Sequence, residues 1–93
     1  MQTPWGLSQH CEVLSNGIEF HSTASHGGYR LSEEHKKVMR AKKLPVKTWY
    51  EEDCECLYVI KAFPELFSRY FDRFETFDQG MIELNKQISQ RFK

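Results

Sequence analysis

The sequence predicts an α+β domain: a short antiparallel β-hairpin or three-stranded sheet followed by three to four helices. Three observations carry that expectation. Residues 1–31 hold four of the five glycines. Residues 32–93 are rich in Glu, Lys, Leu and Phe. Strand-like segments come first and helix-like segments follow, with no β-α-β alternation, which separates α+β from α/β. At 93 residues there is room for one domain, 1–93, with a β and loop half (1–31) and a helical half (32–93).

His10-Cys11-Glu12-Val13-Leu14 is a short strand. Ser15-Asn16-Gly17 follows it, and Asn-Gly between apolar-containing runs is a strong hairpin signal because both residues tolerate positive φ. Ile18-Glu19-Phe20-His21-Ser22 alternates, placing Ile18 and Phe20 on one face and Glu19 and His21 on the other. Thr23 to Gly28 reads as loop. Gly28-Tyr29-Arg30-Leu31 returns as a third strand.

Ser32 reads as the N-cap of a helix over 33–43, with Glu33 and Glu34 where the helix dipole favours anions. Pro45 ends it. Thr48 and Glu51 have capping-box spacing, so a second helix is expected to begin near Trp49 and reach about Phe63. Its apolar residues lie nearly all round, which places it centrally. Pro64 breaks or restarts it. Leu66, Phe67, Tyr70, Phe71 and Phe74 recur at helical spacing. Asp78-Gln79-Gly80 reads as a turn. Met81, Leu84, Ile88 and Phe92 mark one face of a last helix.

Composition excludes several function classes. Thirteen Lys and Arg balance thirteen Asp and Glu, so the chain is neither a basic nucleic-acid coat nor an acidic mimic of DNA. Aromatics at 14% argue against disorder. Met1 to Gly6 lacks the basic and apolar regions of a secretory signal, and the longest apolar run, Leu57-Tyr58-Val59-Ile60, is far short of the ~20 residues of a membrane span. A cytoplasmic location, no membrane association and reduced thiols at Cys11, Cys54 and Cys56 are expected.

Four features are candidates for function. Ser25-His26-Gly27-Gly28 can turn the backbone sharply or let it approach a ligand, and His26 can serve as base, ligand or anchor. Against this stands a plain strand-to-strand turn. Glu51-Glu52-Asp53-Cys54-Glu55 puts four carboxylates within five residues. In a helix starting at Trp49, Asp53 falls on an apolar stripe and needs a partner such as His26, Arg30 or the Gly27-Gly28 backbone. His26, Glu52 and Asp53 are therefore the catalytic candidates, and a structural pairing is the alternative. No Cys-x-x-Cys or His-x-x-x-His spacing exists, so neither a metal nor any other cofactor is expected. Between residues 30 and 47, seven cations oppose two anions, a local charge of plus five, whereas 51–55 carries minus four. Arg30, Lys36, Lys37, Arg40 and Lys43 are the partner-binding candidates; a solvated helix face is the alternative. The aromatic stripe, with Tyr70, Phe71 and Phe74, is either core or an interface.

Three segments together resemble a known family. They are Thr3-Pro4-Trp5-Gly6, Ser22-Thr23-Ala24-Ser25-His26-Gly27-Gly28-Tyr29-Arg30-Leu31-Ser32 and Trp49-Tyr50-Glu51-Glu52-Asp53-Cys54-Glu55. The hairpin ending in Gly17-Ile18-Glu19-Phe20 and the later Phe63-Pro64 also fit. Their order and spacing are similar to a small family of domains of unknown function in proteins of phages, plasmids and other mobile elements. The resemblance covers about residues 3–67. Where relatives tend to carry Trp after the acidic run, this chain has Cys56. The resemblance implies an accessory gene of a mobile element, and such products often bind and disable host defence, including restriction and CRISPR systems.

Three function readings follow. The first is an accessory protein that binds a host macromolecule, in the manner of an anti-CRISPR inhibitor. Its partner would be a host protein such as a defence-system effector complex, with nucleic acid less favoured. The second is a small hydrolase using His26 with Asp53 or Glu52. The third is a homodimeric structural domain.

Overall fold

The computed structural model describes residues 1–92. Strands β1 (Gln2–Thr3) and β2 (Gly6–Leu7) form a small separate hairpin, and β3 (His10–Ser15), β4 (Ile18–Ser22), β5 (Gly27–Leu31) and β6 (Trp49–Glu51) form a four-stranded antiparallel sheet in the order β3-β4-β5-β6. The helices are α1 (Glu33–Ala41), α2 (Cys56–Ala62), α3 (Ser68–Phe71) and α4 (Phe77–Arg91), with a 3-10 turn at Pro64–Leu66. The α+β class is as the sequence indicates, with a fourth strand in the sheet and the added N-terminal hairpin.

The β3–β4 hairpin turns at Asn16-Gly17, where Gly17 has φ +98° and pays no Cβ penalty. Ser15 stands opposite Ile18, but the register shifts by one between Ser15 and Val13. That bulge places Cys11 opposite His21 and Val13 opposite Glu19. In a regular ladder, partners opposite one another share a face. One sheet face therefore carries Ile18, Phe20, Tyr29, Leu31 and Tyr50. The other carries Cys11, Val13, Glu19, His21, Gly28, Arg30, Trp49 and Glu51.

The expected helix from Trp49 does not form there. Trp49 pairs with Arg30, Tyr50 with Tyr29 and Glu51 with Gly28. Two amides close the ladder, Leu31 N donating to Thr48 O at 2.9 Å and Glu52 N to Gly27 O at 3.0 Å. Tyr50 is fully buried, its hydroxyl donating to Pro45 O at 2.6 Å and accepting from Lys47 N at 2.9 Å. Trp and Tyr favour half-buried strands, and burial of Tyr50 outweighs the Thr48/Glu51 pattern. Strand β6 thus interrupts the expected helical half. The helix begins only at Cys56, after a turn.

The first core lies between the sheet and α1 and α2. Ile18, Leu31, Met39, Tyr50, Val59, Ala62 and Phe63 are buried together there. A second core joins Leu57 and Ile60 of α2 to Leu84 of α4. Helix α2 is packed on two sides, as its apolar circumference indicates. Ser32 occupies the N-cap of α1 but its hydroxyl bonds His35 Nδ1 at 2.9 Å rather than a backbone amide. Helix α1 ends in a Schellman arrangement: Lys43 N donates to Arg40 O, Leu44 N to Met39 O, and Lys43 holds φ +59°.

The continuous stripe expected over Leu66–Phe74 is broken into the 3-10 turn, the four-residue α3 and an irregular segment. The expected turn at Asp78-Gln79-Gly80 is instead the first turns of α4. Thr76 caps that helix by accepting from Gln79 N at 3.1 Å, and Gln79 Oε1 accepts from Glu75 N at 3.2 Å. A Cβ at Gly80 would stand 2.5 Å from Phe71, so the close approach of that ring leaves no room for a side chain there.

Candidate functional site

Strand β3 is an outer strand of the sheet, and four of its six residues, His10–Val13, are exposed. Only β4 pairs with it among the described residues. Its other edge presents unpaired main-chain donors and acceptors. The bulge ends the regular ladder at Val13 and bends the strand beyond it. On the helical side of the sheet a cleft of about 690 Å³ adjoins this edge. Phe20 and Tyr29 line it together with Glu12, Val13 and Leu14 of β3, and the segment Leu66–Tyr70 contributes the rest of the lining. The rings of Tyr29 and Phe67 meet edge to face at 5.4 Å. Burial, then the nearby Cys56, Glu12 and Glu52, pushes the Tyr29 hydroxyl up to about 12, so it is a neutral donor.

Tyr70, one of the lining residues, carries an orphaned group. The Tyr70 hydroxyl is buried and has no hydrogen-bond partner among the described residues. Its ring is held by Phe71 at 5.1 Å, by Phe74 at 5.7 Å and by Arg73 stacked at 4.6 Å. An unsatisfied buried hydroxyl costs about 1–3 kcal/mol.

The acid–base candidates meet only in part. His26 sits in the tight turn between β4 and β5. Thr23 organises that turn: its Oγ1 accepts from His26 N at 3.1 Å and donates to His26 O at 2.6 Å. His26 Nδ1 approaches Asp53 Oδ2 at 3.8 Å, with side chains 48% and 64% exposed. That is an ion-pair distance, beyond a hydrogen bond. The expectation of a buried Asp53 is overturned, because the segment is a solvent-facing turn rather than a helix with an apolar stripe. Glu52 is exposed beside Gly27, with Oε2 2.9 Å from where a Cβ on Gly27 would stand. Glu55 instead ties the turn together, accepting from Glu51 N at 3.2 Å and pairing with Lys47. Cys56 donates to Glu52 O, and burial lifts its thiol to about 11.

The cation candidates are dispersed. Lys36 pairs with Glu33 at 2.8 Å and Lys37 with Glu34 at 3.5 Å, both one turn apart on α1. Lys42 donates to Ala62 O at 2.6 Å. Arg40 and Lys43 are exposed and join no ion pair among the described residues. Arg30 lies on the opposite sheet face, 3.8 Å from Glu19. The interface candidates Phe71 and Phe74 fold back against Gly80 of α4, and Phe71 stacks with Phe77 at 4.9 Å.

Sequence reasoning missed the β3 edge with its cleft, and the cluster that the bulge assembles around His21. The Asn16-Gly17 signal locates the hairpin but not its one-residue shift. No helix among the described residues is long and apolar enough to cross a membrane.

No curated protein and no solved structure matches the chain. A family described as a domain of unknown function, DUF7007, matches over residues 1–91. The chain therefore belongs to the DUF7007 family of domains of unknown function.

Proposed function

We propose that this chain is a binding protein that takes an extended segment of a partner protein along β3, with alternate side chains entering the adjoining cleft. The observation that carries the reading is the free β3 edge beside a cleft lined by Glu12, Phe20, Tyr29 and Arg69. Strand addition draws affinity from main-chain hydrogen bonds and specificity from pockets for alternate side chains. Glu12 and Arg69 put one charge of each sign in the lining, which favours a polar, mixed-charge segment over a nucleic acid. The resemblance to mobile-element domains supplies the setting: a cytoplasmic accessory protein that occupies a host defence effector and so inhibits it. Arg40 and Lys43 form a secondary contact with an acidic surface of the same partner.

The test is affinity capture from bacterial host lysate with two variants beside the parent chain. Val13→Lys places a charge on an exposed edge position, and Arg69→Glu inverts the charge in the cleft. Both are expected to lose the partner while folding is kept. Retention by both, with loss in Lys36→Glu/Arg40→Glu, would move the interface to α1.

A further inference from the structure

We propose that Cys11, Glu19 and His21 form a binding site for one divalent transition-metal ion of the zinc class. The site lies on the sheet face opposite the cleft; it shares β3 with the proposed partner edge but does not rest on that reading. Three geometric facts assemble it. The bulge puts Cys11 opposite His21 across the β3–β4 ladder. Glu19, two residues before His21 on β4, projects from the same face. His21 Nε2 stands 2.9 Å from Glu19 Oε1 and 3.7 Å from Cys11 Sγ, and the three donor atoms all lie within 4.8 Å of one another.

Those separations suit a shared ion. Zinc bonds of ~2.0–2.1 Å to nitrogen, ~2.0–2.2 Å to oxygen and ~2.3 Å to sulfur, at tetrahedral angles, put donors about 3.4–3.6 Å apart. The two distances from Nε2 lie on either side of that span. A mixed sulfur, nitrogen and oxygen set suits zinc or cobalt rather than magnesium or calcium.

The hydrogen bonds around the ring point the same way. Ser8 Oγ lies 3.3 Å from His10 O, to which it donates, and 2.8 Å from His21 Nδ1. At 2.9 Å, Nε2 and the Glu19 carboxylate are at hydrogen-bond distance, and a bound cation would take the place of the proton between them. Ser8 Oγ, with its proton on the His10 carbonyl, can then accept from Nδ1–H, and a hydrogen-bonded Nδ1 is the usual outer partner of a metal-bound histidine. The ring is fixed: His21 is 3% exposed and packs edge to face on Trp49 at 5.4 Å. Cys11 is exposed, so an ion has an entry path and the fourth position is open to water. Arg30, 3.8 Å from Glu19, opposes the ion's charge and moderates affinity.

The test is titration of the reduced full chain with Co2+, followed by absorption. The account expects a thiolate-to-cobalt charge-transfer band that saturates at one ion per chain and is displaced by Zn2+. Cys11→Ser, at an exposed position, is expected to keep the fold by circular dichroism and lose the band. The Cys54→Ser/Cys56→Ser variant is expected to retain it. Ser8→Ala is expected to weaken binding ~10-fold or more, as loss of an outer partner does, and Arg30→Met to tighten it. No band for the parent chain, or a band unchanged in Cys11→Ser, overturns the proposal.

Discussion

The indole of Trp5 covers Gly28 so closely that a Cβ there would collide with the ring and stand 2.5 Å from the Tyr50 carbonyl oxygen. The N-terminal hairpin is thereby seated on the sheet face opposite the helices. Trp5 meets Trp49 edge to face at 5.8 Å, and Thr3, buried, fixes the turn by donating to Gly6 O at 2.7 Å. Gly28→Ala is expected to destabilise by about 2–3 kcal/mol, the cost of overpacking. Trp5→Ala is expected to recover part of that loss in the double variant, because the two sites touch. Denaturant unfolding of the four proteins measures it. Additive losses would separate the two residues.

Tyr70→Phe is expected to stabilise the free chain. Removing a buried hydroxyl that no described protein group satisfies is expected to add about 1 kcal/mol or more. Thermal unfolding reads the gain. A variant of unchanged or lower stability would show that the hydroxyl is satisfied in the folded chain.

Lys43 holds a left-handed conformation at the end of α1 where glycine is the usual residue. The left-handed strain of a side chain is roughly 1–2 kcal/mol, of which the added chain entropy of glycine offsets about half. Lys43→Gly is expected to stabilise by about 0.5–1 kcal/mol and to raise Tm by roughly 3–6 °C in a domain of this size. Differential scanning calorimetry gives the sign directly.

Alkaline pH is expected to unfold the domain through two buried groups. Burial raises the Cys56 thiol from 9.0 to about 11 and the Tyr29 hydroxyl from 10.0 to about 12. Both are neutral when protonated, so their folded-state preference is fully present below pH 9. It is lost for Cys56 as pH rises from 9 through about 11, and for Tyr29 from 10 through about 12. Stability measured from pH 8 upward is expected to fall across that window, with the earlier part of the fall reduced in Cys56→Ser. A flat profile would contradict the burial of both groups.

Much of the fold is legible in local sequence, and the exceptions have physical causes. Asn16-Gly17 marks the hairpin, Pro45 and Pro64 end helices, and Met81, Leu84 and Ile88 show the inner face of α4. Trp49–Glu51 is misread because Thr48 and Glu51 imitate a cap, while the burial of Tyr50 and its bond to Pro45 are tertiary. Thr76 and Gln79 carried the capping signal that Asp78-Gln79-Gly80 obscured. The candidate site is less legible still. Asp53 loses its expected burial together with the helix. A one-residue bulge decides that Cys11 rather than Glu12 faces His21, and no residue pattern announces it. The openness of β3 follows from sheet order, which a single strand does not show.

The most direct measurement is amide hydrogen exchange on the chain alone and with its captured partner bound. The account predicts slowed exchange at outward-facing amides of His10–Val13, with added protection over Leu66–Tyr70. Protection confined to Glu33–Lys43, with β3 unchanged, would contradict it.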